Sequence, residues 1–417
     1  MRQDLPKRSS SACARPWRGA SACGRETVAR KKTGKKKAKA APPPDSPLLC
    51  LSELVGNQRP RRLLAAALME GRLFPALLLH GPPGIGKFTT ARAIAAAINC
   101  ASPDGADACR QCPSCRKVAA WTHPDIKVLE SAADAQAAGR PDFFPDAQAA
   151  SRSDGRVSTR LLIGQVRRLL HETAFKPFEG GRRVFIIRHL ESDPSMGCAN
   201  ALLKPLEEPP SGTSFILTSS RPELLPDTIR SRCQSLAFLP PSRDETAEFL
   251  AGRGIAPEEA TLRAALSGGR PGAALSLDAE GGLGLRDGIL AALDAAAGSG
   301  PMDAVTAAEE LLPAVDQMPG LMELFALVAR DIMVMPYDTQ GRLITNQDRL
   351  PELKKLAAAI PPRRAARLLQ RIEWCERALQ RSVNASLMLQ TLLLETGGHL
   401  PSEPLTTPWL GEEEAGA

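Results

Sequence analysis

The residues best equipped for chemistry are Gly81-Pro82-Pro83-Gly84-Ile85-Gly86-Lys87, which follow the apolar run Leu77-Leu78-Leu79 and precede an Ala-rich helical stretch. Glycines let backbone N–H groups turn inward on phosphate oxygens, the next helix presents its positive end, and a lysine reaches the terminal phosphates. This pattern predicts a nucleotide site built from Gly81, Gly84, Ile85, Gly86, Lys87, Phe88 and Thr89. It departs from a working site at the position after the lysine, where a Ser or Thr hydroxyl would ligate magnesium and Phe88 cannot. Thr89 and Thr90 come one and two residues late and point around the helix. A second departure follows Val184-Phe185-Ile186-Ile187, where acids would normally hold magnesium and activate water; here stand Arg188-His189-Leu190-Glu191. Glu191 and Asp193 are displaced from the strand end and are expected on a solvated loop. Such a site can still bind ATP or ADP, with weak or absent hydrolysis.

Cys100, Cys109, Cys112 and Cys115 form the pattern Cys-x8-Cys-x2-Cys-x2-Cys. Thiolates are soft ligands, and four of them close a tetrahedral shell with no open position for substrate. The spacing therefore predicts a structural Zn2+ in a reducing compartment, against the alternative of four free thiols. His123-Pro124-Asp125 reads as a turn into a strand, because four thiolates already complete the shell. Cys13, Cys23, Cys50, Cys198, Cys233 and Cys375 show no ligand spacing and read as free thiols.

The elements that must position these groups are read from patterning. Short β-like runs at Ala76–Leu79, Asp125–Glu130, Arg183–Ile187, Thr213–Thr218 and Ser235–Phe238 alternate with helical stretches, which argues for a parallel sheet flanked by helices over residues 47–240. Residues 131–157, rich in Ala, Asp, Gly and Pro, read as a surface insertion. Helical texture then continues, as a small lid over 241–283 and as longer helices over 284–405. In the latter, Leu368, Ile372, Cys375 and Leu379 form a stripe read as core.

Charge is unevenly placed. Residues 1–40 hold thirteen Lys/Arg and two acids, so the remainder of this +7 chain carries 40 basic and 44 acidic residues. Residues 1–46 are a basic tail and Pro-rich linker that cannot bury enough apolar surface to fold alone, and 406–417 form a second disordered tail. The tail is either a basic arm for DNA or acidic partners, or a segment without such a role. One Tyr and eleven Phe exclude broad stacking platforms for bases. No apolar run reaches the roughly 18 residues of a membrane helix, and no signal-peptide core follows Met1, so a cytoplasmic protein with no membrane partner is expected.

Asn200-Ala201-Leu202-Leu203-Lys204-Pro205-Leu206-Glu207-Glu208-Pro209-Pro210 is followed by Phe215-Ile216-Leu217-Thr218, Leu224-Leu225-Pro226 and Thr228-Ile229-Arg230-Ser231-Arg232-Cys233. This series resembles the bacterial clamp-loader family of gamma/tau and delta-prime subunits. The four-cysteine spacing after the P-loop helix, Gln165-Val166-Arg167, and Val55-Gly56-Asn57-Gln58 match it too. The likeness is strong over residues 48–280 and weaker beyond, where Val383-Asn384 and the Leu-rich helix after it resemble the family's collar. The resemblance implies an α/β AAA+ (P-loop) parallel-sheet module, a small helical lid and an all-α collar through which five subunits form a ring. It implies that Ser231-Arg232-Cys233 presents Arg232 as a catalytic arginine to a neighbour's ATP, and that a lid arginine should fall near Gly272, where none stands. An always-charged planar guanidinium suits that task. Keeping the outgoing arginine while losing its own magnesium and lid groups fits the stator, delta-prime, better than the motor, gamma/tau. Implied partners are gamma/tau and delta in a hetero-pentamer within the DNA polymerase III assembly, and through it the sliding clamp and primed DNA. Two alternatives stay open: an active gamma/tau-type ATPase, and a zinc-dependent nucleic-acid-binding module with a relic P-loop.

Overall fold

A computed structural model describes residues 50–146, 158–179, 181–193, 195–279, 281–298, 300–311, 318–338, 341–379 and 384–400, all within one compact unit, Asp45–Ala417. The basic tail and linker, residues 147–157 and the 406–417 segment lie outside the described residues.

Five parallel strands, β1 (Ala76–His80), β2 (Ile126–Leu129), β3 (Arg183–Arg188), β4 (Thr213–Ser219) and β5 (Gln234–Ala237), make one sheet in the order β2-β3-β4-β1-β5. Each begins and ends within one residue of the run its apolar content predicts. Alternate side chains enter opposite cores: Val184 and Ile186 of β3 face one, Phe185 and Ile187 the other. All seven residues of the central strand β4 are buried. A parallel sheet needs crossovers that cover both faces. These are α1 (Gln58–Met69), α2 (Lys87–Ile98), α3 (Pro113–Ala119), α4 (Ala132–Ala137), α5 (Ile163–Thr173), α6 (Gly197–Glu207) and α7 (Asp227–Arg232). Strand order reverses around β1, so the turn at its carboxyl end opens into the crevice where such sheets bind ligands.

Residues 131–146 correct the reading of a surface insertion. Ser131 caps α4, and Phe144, only 1% exposed, packs into the core 6.3 Å from the Phe185 ring. The Ala/Asp/Gly texture hides one aromatic anchor, which is enough to bind the segment to the sheet.

Three helices, α8 (Arg243–Ala251), α9 (Pro257–Leu266) and α10 (Pro271–Ala279), share a small core of Leu250, Ala260, Ala264 and Ala274. Ser242 and Glu245 form a capping box at its entrance. Asn57 joins the start of the fold to the segment before α8, exchanging hydrogen bonds with the Leu239 backbone at 2.8 and 2.9 Å. The remaining helices, α11 (Gly282–Gly298), α12 (Pro301–Leu311), α13 (Met318–Val334), α14 (Leu350–Ala359), α15 (Pro362–Leu379) and α16 (Ala385–Gly397), enclose a further core. Leu368, Ile372 and Cys375 are buried in it, as the stripe predicts; the Leu379 side chain lies outside the described residues. Asn384 caps α16. Among the described residues no helix is long and apolar enough to cross a membrane.

Candidate nucleotide cleft and cysteine cluster

β1 delivers the chain into a turn in which Gly84 and Gly86 have φ of +75° and +94°, a backbone region that side chains rarely adopt. The turn opens on a cavity of about 390 Å³ lined by Gly84, Ile85, Gly86, Lys87, Phe88 and Thr89 of the predicted set. Gly81 stands behind it, so close to β5 that a Cβ there would lie 2.2 Å from the Phe238 carbonyl oxygen. Lys87 is 7% exposed, and its Nζ donates to the carbonyl oxygens of Gly81 (2.5 Å) and Pro82 (2.6 Å) and to Ser220 Oγ (3.3 Å). No carboxylate pairs with it among the described residues. Burial pushes its ammonium down to about 8, with Glu191 opposing the shift and Arg188 and Arg270 adding to it.

Phe88 stacks on Trp121 with ring centroids 5.9 Å apart and planes 9° from parallel. The Arg188 guanidinium lies 4.5 Å from the Phe88 centroid and that of Arg140 4.9 Å, while Arg92 sits 4.4 Å from Trp121. Glu130 anchors the cluster: it accepts two hydrogen bonds from Arg140 (2.6 and 2.8 Å) and one from Arg188. Phe88 and Arg188 thus stand at the two positions where the sequence pattern calls for a hydroxyl and a carboxylate, and neither offers an oxygen ligand. Thr90 offers no substitute, because it is buried and its Oγ1 donates to the Gly86 carbonyl at 2.8 Å.

Glu191 and Asp193 are not solvated, and that expectation is corrected. His189, with a left-handed φ of 52°, turns the chain into a short 3-10 segment that folds both acids inward. Glu191 is 9% exposed; one carboxylate oxygen accepts the Ser220 N–H at 2.8 Å, and the other is buried without a hydrogen-bond partner among the described residues. Asp193 accepts the Cys198 N–H (2.8 Å), an orphan donor in the first turn of α6, and the Ser195 N–H (3.0 Å) just before that helix.

The start of α10 meets the turn after β1 directly. Gly272 N–H donates to the Gly84 carbonyl at 2.7 Å, and a Cβ on Gly272 would come within 2.9 Å of that oxygen. A side chain at 272 has no room, and Arg270, two residues earlier, is bidentate to Glu323 of α13 at 2.7 and 3.1 Å.

The four sulfurs of Cys100, Cys109, Cys112 and Cys115 lie within 4.8 Å of one another, with pairs at 3.7, 4.0 and 4.0 Å. A tetrahedron with metal–sulfur bonds of about 2.3 Å has edges of about 3.8 Å, so the set fits one zinc ion. The N–H groups of Cys109, Cys112 and Cys115 point at neighbouring sulfurs at 3.2–3.4 Å, which favours thiolates. Burial alone would raise the Cys112 thiol, but hydrogen bonds from the Cys115 and Ala101 backbones and from neighbouring thiols bring it down to about 6. The module is tied to the body on two sides. Asp107 accepts the N–H groups of Leu51 (2.6 Å) and Ser52 (3.4 Å), and α3 leads into Trp121, which stacks on Phe88. His123 bonds Ser114 (3.1 Å) and takes the Asp125 N–H (3.2 Å), the turn into β2 that its sequence predicts. Cys50, Cys198, Cys233 and Cys375 are buried and form no disulfide; Cys13 and Cys23 lie outside the described residues.

Arg232 ends α7 and is outside the cleft. Its Nε and Nη2 donate to Glu207 at 3.2 and 3.1 Å, and Nη1 donates to the Thr228 carbonyl at 3.0 Å. Both side chains of that pair are partly exposed, at 30% and 60%. Ser220 lines the cavity, Trp121 and Arg140 pack on Phe88 and Arg92 on Trp121, and none of the four is marked by a local motif; the helix between Cys112 and Trp121 is the nearest signal for one of them.

Residues 56–242 match the family described as DNA polymerase III, delta subunit, and residues 286–397 match DNA polymerase III, delta subunit, C terminal. The chain is 36% identical to DNA polymerase III subunit delta' of Pseudomonas aeruginosa over 209 residues, which is 49% of this chain and 56% of that one. It is 34% identical to the Escherichia coli K12 delta' subunit over 217 residues, 51% of this chain and 57% of that one. The tau/gamma subunit of Haemophilus influenzae is 31% identical over 197 residues, 47% of this chain and 24% of that one. The match therefore spans a little over half the length of the delta' relatives. With both its sheet domain and its C-terminal helices matched, and with delta' subunits among its homologues, the chain belongs to the DNA polymerase III delta-subunit family.

Proposed function

We propose that this chain is the delta-prime, or stator, subunit of a bacterial clamp loader, assembling with gamma/tau and delta subunits in a hetero-pentamer that places the sliding clamp on primed DNA. The observation that carries this over the motor reading is the packing of Phe88 against Arg188. A motor needs oxygen ligands for magnesium at both positions, whereas a stator does not. In this reading the cleft binds ATP or ADP through Lys87 and the P-loop amides without turning it over.

The chain's chemical contribution is then made in trans. Arg232 is held by a partly exposed ion pair to Glu207, the kind of pair worth about 0–1 kcal/mol, so leaving it for a neighbour's phosphate costs little. A guanidinium at a transferring phosphate stabilises developing charge. Cys100, Cys109, Cys112 and Cys115 would hold zinc, which cross-links the loop after α2 and fixes α3 and Trp121.

Mixing the full chain with gamma/tau and delta subunits tests the proposal. A complex of fixed stoichiometry is expected, while the isolated chain with magnesium shows no ATP turnover above background. Steady turnover by the isolated chain, abolished by Lys87→Ala, would favour the motor reading instead.

A further inference from the structure

We propose that the cleft takes its nucleoside di- or triphosphate without a divalent ion, the guanidinium of Arg188 providing the positive charge that the ion would otherwise bring. The inference deepens the nucleotide-binding reading above and rests on it.

The first argument is charge balance. Lys87, Arg188 and Arg253 line the cavity against one carboxylate, Glu53, which is paired with Arg110. Lys87 is nine-tenths buried and donates to two carbonyls and a hydroxyl; buried Glu191 acts on it electrostatically, but no carboxylate forms an ion pair with it among the described residues. Arg188 shares its one carboxylate, Glu130, with Arg140, so two guanidiniums meet a single negative charge. Buried charge without a counter-ion is costly, and the cleft is left with a positive excess that an anion would neutralise. A divalent cation would add to that excess.

The second argument is placement. Arg188 is not free to swing: Phe88 lies under its guanidinium at 4.5 Å, Glu130 holds one end, and His189 Nε2 sits 3.3 Å from Nη2. A guanidinium already fixed on an aromatic face keeps its planar fork preorganised, and its remaining N–H groups have no protein partner among the described residues. Such a fork is well matched to phosphate oxygens. Phe88, which removes the magnesium hydroxyl, is thus also the residue that steadies the replacement charge.

The test is equilibrium binding of ADP and ATP to the full chain by calorimetry, with excess EDTA and with magnesium. Affinity in EDTA should stay within about twofold of that in magnesium. Arg188→Gln should weaken EDTA binding by about tenfold or more, as loss of a charge-assisted contact to phosphate does. Arg188→Lys, which keeps the charge, should retain more affinity than Arg188→Gln, and thermal melts of both variants show whether the fold is kept. If Arg188→Gln unfolds the domain, the comparison of wild type with Arg188→Lys in EDTA decides. Tenfold weaker wild-type binding in EDTA, or an Arg188 variant binding like wild type after charge removal, would overturn this inference alone. Absence of binding under both conditions would overturn it together with nucleotide binding in the proposed function, leaving ring assembly and the role of Arg232 untouched.

Discussion

The guanidinium of Arg188 rests on the ring of Phe88, 4.5 Å from its centroid, although the two residues are a hundred positions apart. Each is, taken alone, a departure from a working phosphate-transfer site. Together they are one packed contact that continues through Trp121 to the cysteine module and through Glu130 to Arg140. The two departures support each other as one packed element, so restoring one residue leaves the other in place.

Phe88→Thr should therefore not create magnesium-dependent turnover, even though it returns a hydroxyl to the right position. It should instead lower stability by about 2–3 kcal/mol, since it removes a partly buried aromatic ring with its stacking and cation contacts. Urea unfolding followed through the sheet domain, alongside an ATPase assay, checks both halves.

Much of this arrangement is legible in sequence because it is local. The five strands, the glycines of the loop, the cysteine spacing and the stripe through Leu368 and Ile372 are all written within short windows that share one periodicity or one motif. What is not local stays hidden. Trp121 reaches Phe88 only because α3 is turned back over α2, and Arg140 joins the cluster only because Phe144 anchors a segment that looks polar. Glu191 and Asp193 look solvated until the left-handed turn at His189 aims them at Ser220 and at the α6 N-terminus.

The cysteine cluster should bind one zinc ion per chain. Metal sites of this kind can be worth ~10–16 kcal/mol to a small folding unit. Cys112→Ser with Cys115→Ser should abolish zinc in elemental analysis and destabilise the sheet domain more than the C-terminal helices. Hydrogen exchange should quicken at Leu51 and Ser52, whose N–H groups are held by Asp107 of the module. Unchanged exchange there after metal loss would detach the module from the rest of the domain.

Nucleotide affinity should depend on pH through Lys87. Burial holds its ammonium near 8 in the free protein, with Glu191, Arg188 and Arg270 the charged groups acting on it. Phosphate favours the charged form, so affinity should be level below about pH 7.5 and fall by up to about tenfold per unit above pH 8. The unliganded fold should show the opposite trend. Because the folded pKa is lowered, the unfolded chain binds the extra proton above 8, and stability rises with pH toward 10. Calorimetric titrations at pH 7, 8 and 9 in one buffer series, with melts at the same pH values, read both effects.

The most direct test of the account is ATP hydrolysis by the reconstituted ring carrying Arg232→Ala in this subunit. Arginines that enter a neighbour's site can be worth roughly 10³–10⁵ in rate at that site. A ring with several sites would show this as a partial loss of total turnover, and Arg232→Lys should recover little of it, because an ammonium lacks the planar fork. Assembly and melting temperature should stay close to wild type, since the Glu207 pair that the substitution breaks is partly exposed. Reduced hydrolysis with an intact ring is the predicted result. Unaltered hydrolysis together with a lowered melting temperature would contradict it, leaving Arg232 as a tie between α7 and α6 within its own domain.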